Sequence, residues 1–201
     1  MIPKEMNRPE QIARLLGAVA LALLLGALWF QYFKHLPPCE MCHWQRWPHI
    51  AAAIIALVGT SVWKWDSRIL GAGVIVLTAA IGLVLTAPPL WPYIAGAATM
   101  LALVAATQKG PRGIVVTAIL LLAVTGLIGA YQTGMQHGIL PGPDACMVAK
   151  PYVMGSGAPD PEISCNSVTW DLLGLSLAAL NALFSLGAAV IGMALLLKRR
   201  I

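Results

Sequence analysis

The chain alternates between long apolar stretches and short polar segments. Six apolar stretches run through residues 14–33, 47–63, 69–87, 91–107, 113–133 and 172–197. Each is about long enough to cross roughly 30 Å of hydrocarbon as a helix that rises about 1.5 Å per residue. None shows the period of two that is typical of a barrel strand, and a single segment in lipid must satisfy its backbone hydrogen bonds internally. The pattern predicts a bundle of about six transmembrane helices.

The composition agrees with this prediction. Hydrophobic residues make up 59% of the 201 residues, charged residues only 10%, and the mean hydropathy is +0.78. So few charged side chains cannot solvate the outside of a water-soluble domain, and so apolar a chain is not disordered. Four cysteines are too few for a small secreted scaffold. We therefore expect an all-α integral membrane protein, with residues 1–201 forming a single membrane domain.

The basic residues indicate how the chain is oriented. If the N-terminus lies in the cytoplasm and all six stretches cross, ten of the 13 lysines and arginines lie on the cytoplasmic side, and only Lys34, Arg46 and Lys150 lie outside. The fourth stretch is short enough to be re-entrant, but the basic residues 198–200 would then lie outside, so the charges favour six crossings. We therefore expect both termini to lie in the cytoplasm. The net charge of +5 then requires no nucleic acid partner.

All candidate chemistry falls in two loops on the periplasmic side, residues 34–46 and 134–171. These loops carry the four cysteines, which are Cys39, Cys42, Cys146 and Cys165. Disulfides persist in an oxidising compartment, and four cysteines allow three pairings. A bond between Cys146 and Cys165 would close a flexible loop and contribute about 3 kcal/mol as a structural staple. It would equally serve as an exposed disulfide that a soluble thiol can attack.

The spacing of Cys39 and Cys42 is typical of redox-active pairs. Two intervening residues make a small ring, and one sulfur of such a pair usually lies at a helix start, where its thiolate is stabilised. Arg46 follows Cys42 by four residues and shares its face if a helix has already begun there, whereas Pro48 favours a helix that starts only near Trp47. An arginine at the membrane interface either snorkels to the headgroups or holds the carbonyl oxygen of an apolar electron acceptor such as a quinone.

Other interpretations use the first cysteine pair alone. Cys39, Cys42 and His43 match the attachment motif of a c-type haem, which predicts a membrane-anchored cytochrome. The same residues with His49 have the side chains of a zinc site, although we expect no metal. Both interpretations leave Cys146 and Cys165 unexplained. A non-catalytic membrane protein with two structural disulfides is the third alternative.

Several short motifs of the chain occur together in one bacterial family. They are Pro38, Cys39, Cys42, Gln45 and Arg46, then Gly142-Pro143 with Cys146, then Ser164-Cys165, and finally Trp170, Leu173-Gly174-Leu175-Ser176 and Asn181. In these residues and their order the chain resembles the disulfide-bond formation protein B (DsbB) family. Its members are inner-membrane quinone reductases that reoxidise DsbA, a periplasmic thiol oxidase with a thioredoxin fold.

The resemblance implies a role for each cysteine. Reduced DsbA attacks the loop disulfide at Cys146, and Cys165 helps to resolve the mixed disulfide. The loop pair then exchanges with the other pair through a bond between Cys39 and Cys165. Cys42 is left as a thiolate that faces the quinone, either ubiquinone or menaquinone, and Arg46 matches the quinone-site arginine of the family.

The chain departs from the family pattern in two places. The family usually has four transmembrane helices, and this chain carries about two more apolar stretches before residue 113. Relatives often have a Tyr-His pair before the second loop where this chain has Tyr131-Gln132, so a histidine role there is not carried over to Gln132. We expect the histidines to be interfacial side chains, namely His35, His43, His49 and His137. Asp171 is expected to cap the last helix or to lie at the interface.

Overall fold

A computed structural model describes residues 9–62, 110–147 and 163–198 of the chain. The described part contains four long helices: α1 (Pro9–Tyr32), α2 (Glu40–Val62), α3 (Gly110–Gln136) and, after two shorter elements, α5 (Leu177–Leu197). The shorter elements are the four-residue helix α4 (Asp144–Met147) and an antiparallel hairpin of β1 (Asp171–Leu172) and β2 (Leu175–Ser176).

The four long helices pack as a bundle. α3 packs against α1, α2 and α5, and α1 also contacts α2 and α5. Apolar side chains fill the space between the helices, among them Ile12, Leu16, Ile55, Ile114 and Leu122. Large apolar side chains also cover much of the outer surface, where lipid accepts them without penalty.

The helical membrane architecture predicted from sequence is confirmed. α1, α3 and α5 are each long and apolar enough to cross a membrane. α2 has a similar length, but its first turns carry charged and polar side chains. The predicted stretches at residues 69–87 and 91–107 lie outside the described residues, so the count of six remains a prediction.

α2 begins at Glu40 and not near Trp47, so the first cysteine-bearing loop ends earlier than residue 46. Cys39 caps the helix, because its carbonyl accepts the N–H of His43 at 3.3 Å and its sulfur accepts the N–H of Cys42 at 3.2 Å. Pro48 lies inside the helix and removes one intrahelical hydrogen bond. The cap at Cys39 therefore outweighs the preference of proline for the first turn.

The last helix begins at Leu177, because a tight hairpin occupies the residues before it. Leu173 and Gly174 both have positive φ, at 54° and 80°, which is the backbone of a two-residue hairpin turn. Ser176 caps α5, since its Oγ accepts the N–H of Ala179 at 3.2 Å. Asp171 does not cap the helix; its carboxylate accepts the N–H of Gly174 at 3.1 Å within the turn.

α3 and α5 approach closely at two glycines of α3. A Cβ built on Gly129 would lie 2.8 Å from the carbonyl oxygen of Ala178 and 3.1 Å from the nitrogen of Ala182. One built on Gly126 would lie 2.7 Å from Cγ of Leu186. Small residues at such positions let two helix backbones pack directly against each other in a membrane.

We expect Gly129→Ala to lower the stability of the folded protein by about 1–3 kcal/mol, because the added methyl meets backbone atoms that cannot rotate away. Thermal unfolding of the detergent-solubilised protein measures the effect. Gly187→Ala in α5 is the matched control, since a Cβ there meets nothing within 4 Å. Equal melting temperatures for the two variants would contradict the close approach of α3 and α5.

Candidate redox site

Cys39 and Cys42 form a disulfide at the start of α2. Cys39 is buried, with 1% of its surface exposed, whereas Cys42 is half-buried. The first-turn N–H groups of the helix point toward Cys39, and the N–H of Cys42 donates to its sulfur. A helix N-terminus favours negative charge, so the position suits a sulfur that becomes a thiolate.

Cys146 and Cys165 form the second disulfide, across the predicted loop 134–171. α4 carries Cys146, and the N–H of Cys165 donates to the carbonyl of Cys146 at 2.8 Å. Ser164 adds a hydrogen bond from its Oγ to the carbonyl of Met147 at 3.0 Å. Both sulfurs are buried, so the expectation of an exposed loop disulfide is wrong for this state of the protein.

The two disulfides lie together in one buried cluster. Cys39, Cys146 and Cys165 pack there with Met41 and Met135. Cys39 also forms an isolated parallel bridge with Ile163, two residues before Cys165. The loop pair therefore lies in the same cluster as the pair at the start of α2, and the four predicted cysteines come together in one site.

Gln132 of α3 lies where the two disulfides meet. Its Nε2 donates to Sγ of Cys39 at 3.1 Å and to the carbonyl of Cys165 at 3.4 Å, and it lies 3.9 Å from Sγ of Cys42. Its side chain is only 2% exposed. The sequence pattern does not identify Gln132 as a site residue. The one signal is that the chain has glutamine where the resemblance leads one to expect the histidine of a Tyr-His pair.

A network of buried polar side chains extends from Gln132 into the bundle. Gln45 of α2 donates from Nε2 to Oε1 of Gln132 at 2.7 Å, and Asn181 of α5 donates from Nδ2 to Oε1 of Gln45 at 2.7 Å. Ser185 donates to Oδ1 of Asn181 at 2.9 Å. Buried polar groups require such partners, so the network sets how α2, α3 and α5 pack together.

His49 belongs to this network and not to the membrane interface. Only 4% of its surface is exposed. Its Nδ1 lies 2.8 Å from the carbonyl of Gln45, and its Nε2 lies 3.2 Å from Oγ of Ser185. Thr125 also donates to the Gln45 carbonyl, at 3.0 Å. The prediction of an interfacial His49 is wrong, because side chains of α3 and α5 supply partners that its own segment does not reveal.

Arg46 lies one turn after Cys42 on the same helix, because α2 has already begun at Glu40. Its Nε is buried, and within the described residues it has no hydrogen-bond partner. Tyr32, at the end of α1, is near enough to interact with it electrostatically. A buried N–H without an acceptor suits a ligand that presents an oxygen atom.

The described residues contain no group of three or more His, Cys, Asp or Glu side chains placed to hold a metal ion. Cys39 and Cys42 are bonded to each other and packed against the second disulfide. The fold and the site together define a helical membrane protein with two adjoining disulfides at one end of the bundle.

Comparison with known families identifies the group to which this protein belongs. The family model described as disulfide bond formation protein DsbB matches residues 9–93 and 90–195. The chain therefore belongs to the DsbB family, as the motif pattern predicts.

Individual relatives match over a shorter part. A disulfide bond formation protein B of Burkholderia thailandensis is 38% identical over 77 residues, which is 38% of this chain and 46% of the relative. The protein of the same description from a Shewanella species is 39% identical over 70 residues, 34% of this chain and 40% of the relative. The chain thus matches less than half the length of these curated relatives. No solved structure matches the chain.

The contact between the two pairs predicts a third disulfide when one partner of each pair is removed. In the double variant Cys42→Ser/Cys146→Ser we expect Cys39 and Cys165 to bond each other in air, because both lie in the same buried cluster. Peptide mapping by mass spectrometry without reduction detects the bond.

The complementary variant Cys39→Ser/Cys165→Ser is the matched control for this bond. It also retains one cysteine of each pair, but Cys42 lacks the backbone bridge that Cys39 makes beside Cys165. We expect a lower yield of the Cys42–Cys146 bond. Free thiols at Cys39 and Cys165 in the first variant would show that the pairs do not meet as described.

Proposed function

We propose that the chain is a membrane thiol oxidase, a dithiol:quinone oxidoreductase that reoxidises a periplasmic disulfide donor of the DsbA type. The observation that carries this proposal is the packing of two disulfides in one cluster at one end of a membrane bundle, beside an arginine whose buried Nε has no hydrogen-bond partner among the described residues. Electrons run from the soluble dithiol to the quinone because respiration keeps the quinone pool oxidised. The proposed setting is the bacterial inner membrane, with the cysteines in the periplasm and both termini in the cytoplasm.

The first half of the reaction takes place at the loop pair. A thiolate of the reduced partner attacks Sγ of Cys146, the bond to Cys165 breaks, and Cys165 leaves as a thiolate. The second thiol of the partner then displaces Cys146 and releases the partner in its disulfide form. Two electrons have passed to Cys146 and Cys165. Since Cys146 is buried, this step requires α4 to move aside, and α4 is only four residues long.

The second half transfers these electrons to the pair at the start of α2. The thiolate of Cys165 attacks Sγ of Cys39, and Cys42 leaves as a thiolate. Cys146 then attacks Cys165, which restores the loop disulfide and releases Cys39. Cys39 and Cys165 lie in the same buried cluster, so this exchange needs no large movement of the helices.

The residues beside Cys42 fit a quinone. Arg46 would hold it, since the buried Nε lacks an acceptor and a quinone carbonyl oxygen would supply one. A bound quinone accepts two electrons and two protons. The charge of Arg46, one turn from Cys42, favours the thiolate form of that cysteine. Cys42 is the less buried sulfur of its pair and therefore the one open to a ligand.

The haem interpretation accounts for less of the site. It uses Cys39, Cys42 and His43, whereas the structure brings both cysteine pairs into one cluster. Two structural disulfides would account for the bonds but not for the buried Nε of Arg46, which has no hydrogen-bond partner in the described part of the chain. The thiol oxidase uses all four cysteines and the arginine.

We expect the purified protein, without oxygen, to reduce a quinone catalytically when a reduced DsbA-type dithiol is added. Quinone absorbance measures the reaction. Cys42→Ser should abolish it, because Cys39 then has no disulfide bond that can accept electrons from the loop pair, and no Cys42 thiolate forms beside the quinone. If both ubiquinone and menaquinone stay oxidised with the folded native protein, the proposed activity is wrong.

We expect Arg46→Met to raise the KM for quinone by roughly tenfold to a hundredfold, because a hydrogen bond to a charged group contributes about 1.5–3 kcal/mol. Exchange between the soluble dithiol and the loop disulfide should not change. Steady-state kinetics with varied quinone measure the first quantity, and trapping of the mixed disulfide measures the second.

Lys34→Met is the matched control for Arg46→Met, because it also removes a basic side chain near the end of α1. Lys34 is exposed and lies over the ring of Trp29. Its KM for quinone should equal that of the native protein. An unchanged KM in Arg46→Met would remove Arg46 from the quinone site.

A further inference from the structure

We propose that Gln132 is the hydrogen-bond donor that stabilises Cys39 as a thiolate, and that it thereby speeds the release of Cys39 at the end of the internal exchange. This inference rests on the proposed thiol oxidase activity. It assigns a role in that reaction to a side chain of α3 that is remote in sequence from every cysteine of the first pair.

The sulfur of Cys39 already has two N–H donors in the disulfide state. The side-chain Nε2 of Gln132 lies 3.1 Å from it, and the backbone nitrogen of Cys42 lies 3.2 Å from it. Hydrogen bonds strengthen when the acceptor becomes charged and water is excluded. Both donors therefore favour the thiolate of Cys39 over its neutral thiol.

The amide of Gln132 is held with its nitrogen toward the sulfur. The same Nε2 donates to the carbonyl of Cys165, and Oε1 accepts from Gln45 at 2.7 Å. If the amide turned over, its oxygen would face a carbonyl oxygen and its nitrogen would face the nitrogen of Gln45. Neither contact is a hydrogen bond, so the environment selects one orientation.

The orientation of the Gln45 side-chain amide is fixed in the same way, by the amide of Asn181. Nδ2 of Asn181 donates to Oε1 of Gln45 and also to the carbonyl of Thr125, at 3.2 Å. A backbone carbonyl accepts but never donates, so Asn181 cannot turn over without losing that bond. The carbonyls of Thr125 and Cys165 thus set the orientation of the three linked amides, which are those of Asn181, Gln45 and Gln132. The N–H of the last of them, Gln132, points at the sulfur of Cys39.

The step affected is the one in which Cys39 leaves. In the Cys39–Cys165 intermediate, the thiolate of Cys146 attacks Cys165, a new Cys146–Cys165 bond forms, and the Cys39–Cys165 bond breaks. The electron pair of the broken bond stays on Cys39, so one thiolate is consumed and one is produced. A sulfur with a lower thiol pKa leaves faster. Gln132 also donates to the main-chain carbonyl of Cys165, so one side chain contacts both residues of the Cys39–Cys165 intermediate.

The experiment measures the Cys39 thiol by itself, in the full-length chain with Cys42, Cys146 and Cys165 replaced by serine. The pH dependence of alkylation by iodoacetamide, checked by ultraviolet thiolate absorbance, gives the pKa of Cys39. We expect Gln132→Met to raise this pKa by about one unit or more, so that alkylation well below the pKa slows by roughly tenfold. Gln132→His retains a ring N–H and should recover most of the native rate.

Gln136→Met is the matched control, one turn further along α3. Its amide donates to the carbonyl of Ser167 and accepts from Ser176, and neither of these hydrogen bonds involves a sulfur. The pKa of Cys39 should be unchanged in this variant. The same pKa in Gln132→Met as in the control, with native helix content by circular dichroism, would overturn the proposal.

A second variant covers the case in which Gln132→Met does not fold. Gln45→Met leaves Gln132 in place but removes the donor that fixes its carbonyl, so we expect a smaller rise of the Cys39 pKa in the same direction. No rise would overturn the proposal. The measurement needs neither quinone nor partner protein, so it fails independently of the proposed oxidase activity.

Discussion

The rest of the site depends on the requirement that polar groups inside a helical bundle find partners within the protein. Gln45, Gln132 and Asn181 come from three different helices and satisfy one another where they meet. An unpaired amide there would carry its full desolvation cost, because neither lipid nor the apolar core offers a hydrogen bond. The network therefore holds α2, α3 and α5 in one register, and this register places the Cys39 sulfur against the segment that carries Cys165.

The start of α2 is the second constraint. The Cys39 cap makes a short cysteine motif the first turn of a helix. It directs the N–H of Cys42 at the sulfur of Cys39 and leaves Cys42 half-buried. The same start puts Arg46 one turn from Cys42. Pro48 inside the helix removes one backbone bond, while the carbonyl of Gln45 nearby accepts from Thr125 and lies within hydrogen-bond distance of His49. A helix that began at Trp47 would have left the arginine and both sulfurs on an unordered segment.

These two constraints give the two cysteine pairs different surroundings. The pair at the start of α2 is held by a helix and by a row of amides, and this rigidity suits the electron transfer that the proposed function assigns to it. The loop pair is held by α4 and a few backbone bonds, so local opening of this segment costs less free energy, as the proposed exchange requires. Three of the four cysteines, Cys39, Cys146 and Cys165, are buried in one cluster, which shields their sulfurs from solvent.

The local sequence determined the features that depend on neighbouring residues. Apolar length alone identifies α1, α3 and α5 as membrane helices, and the motifs around the cysteines identify the family. Local rules did not determine where two helices start. For α2, the sequence allows a start at Cys39 or one near Pro48, and for α5 it allows a cap at Ser176 or at Asp171. The hydrogen bonds of the caps decide both cases. The burial of His49 and the contact of Gln132 with Cys39 were decided only by the tertiary structure. Their partners lie on other helices, and a hydrogen bond between residues distant in the chain leaves no periodic trace in the sequence of either segment.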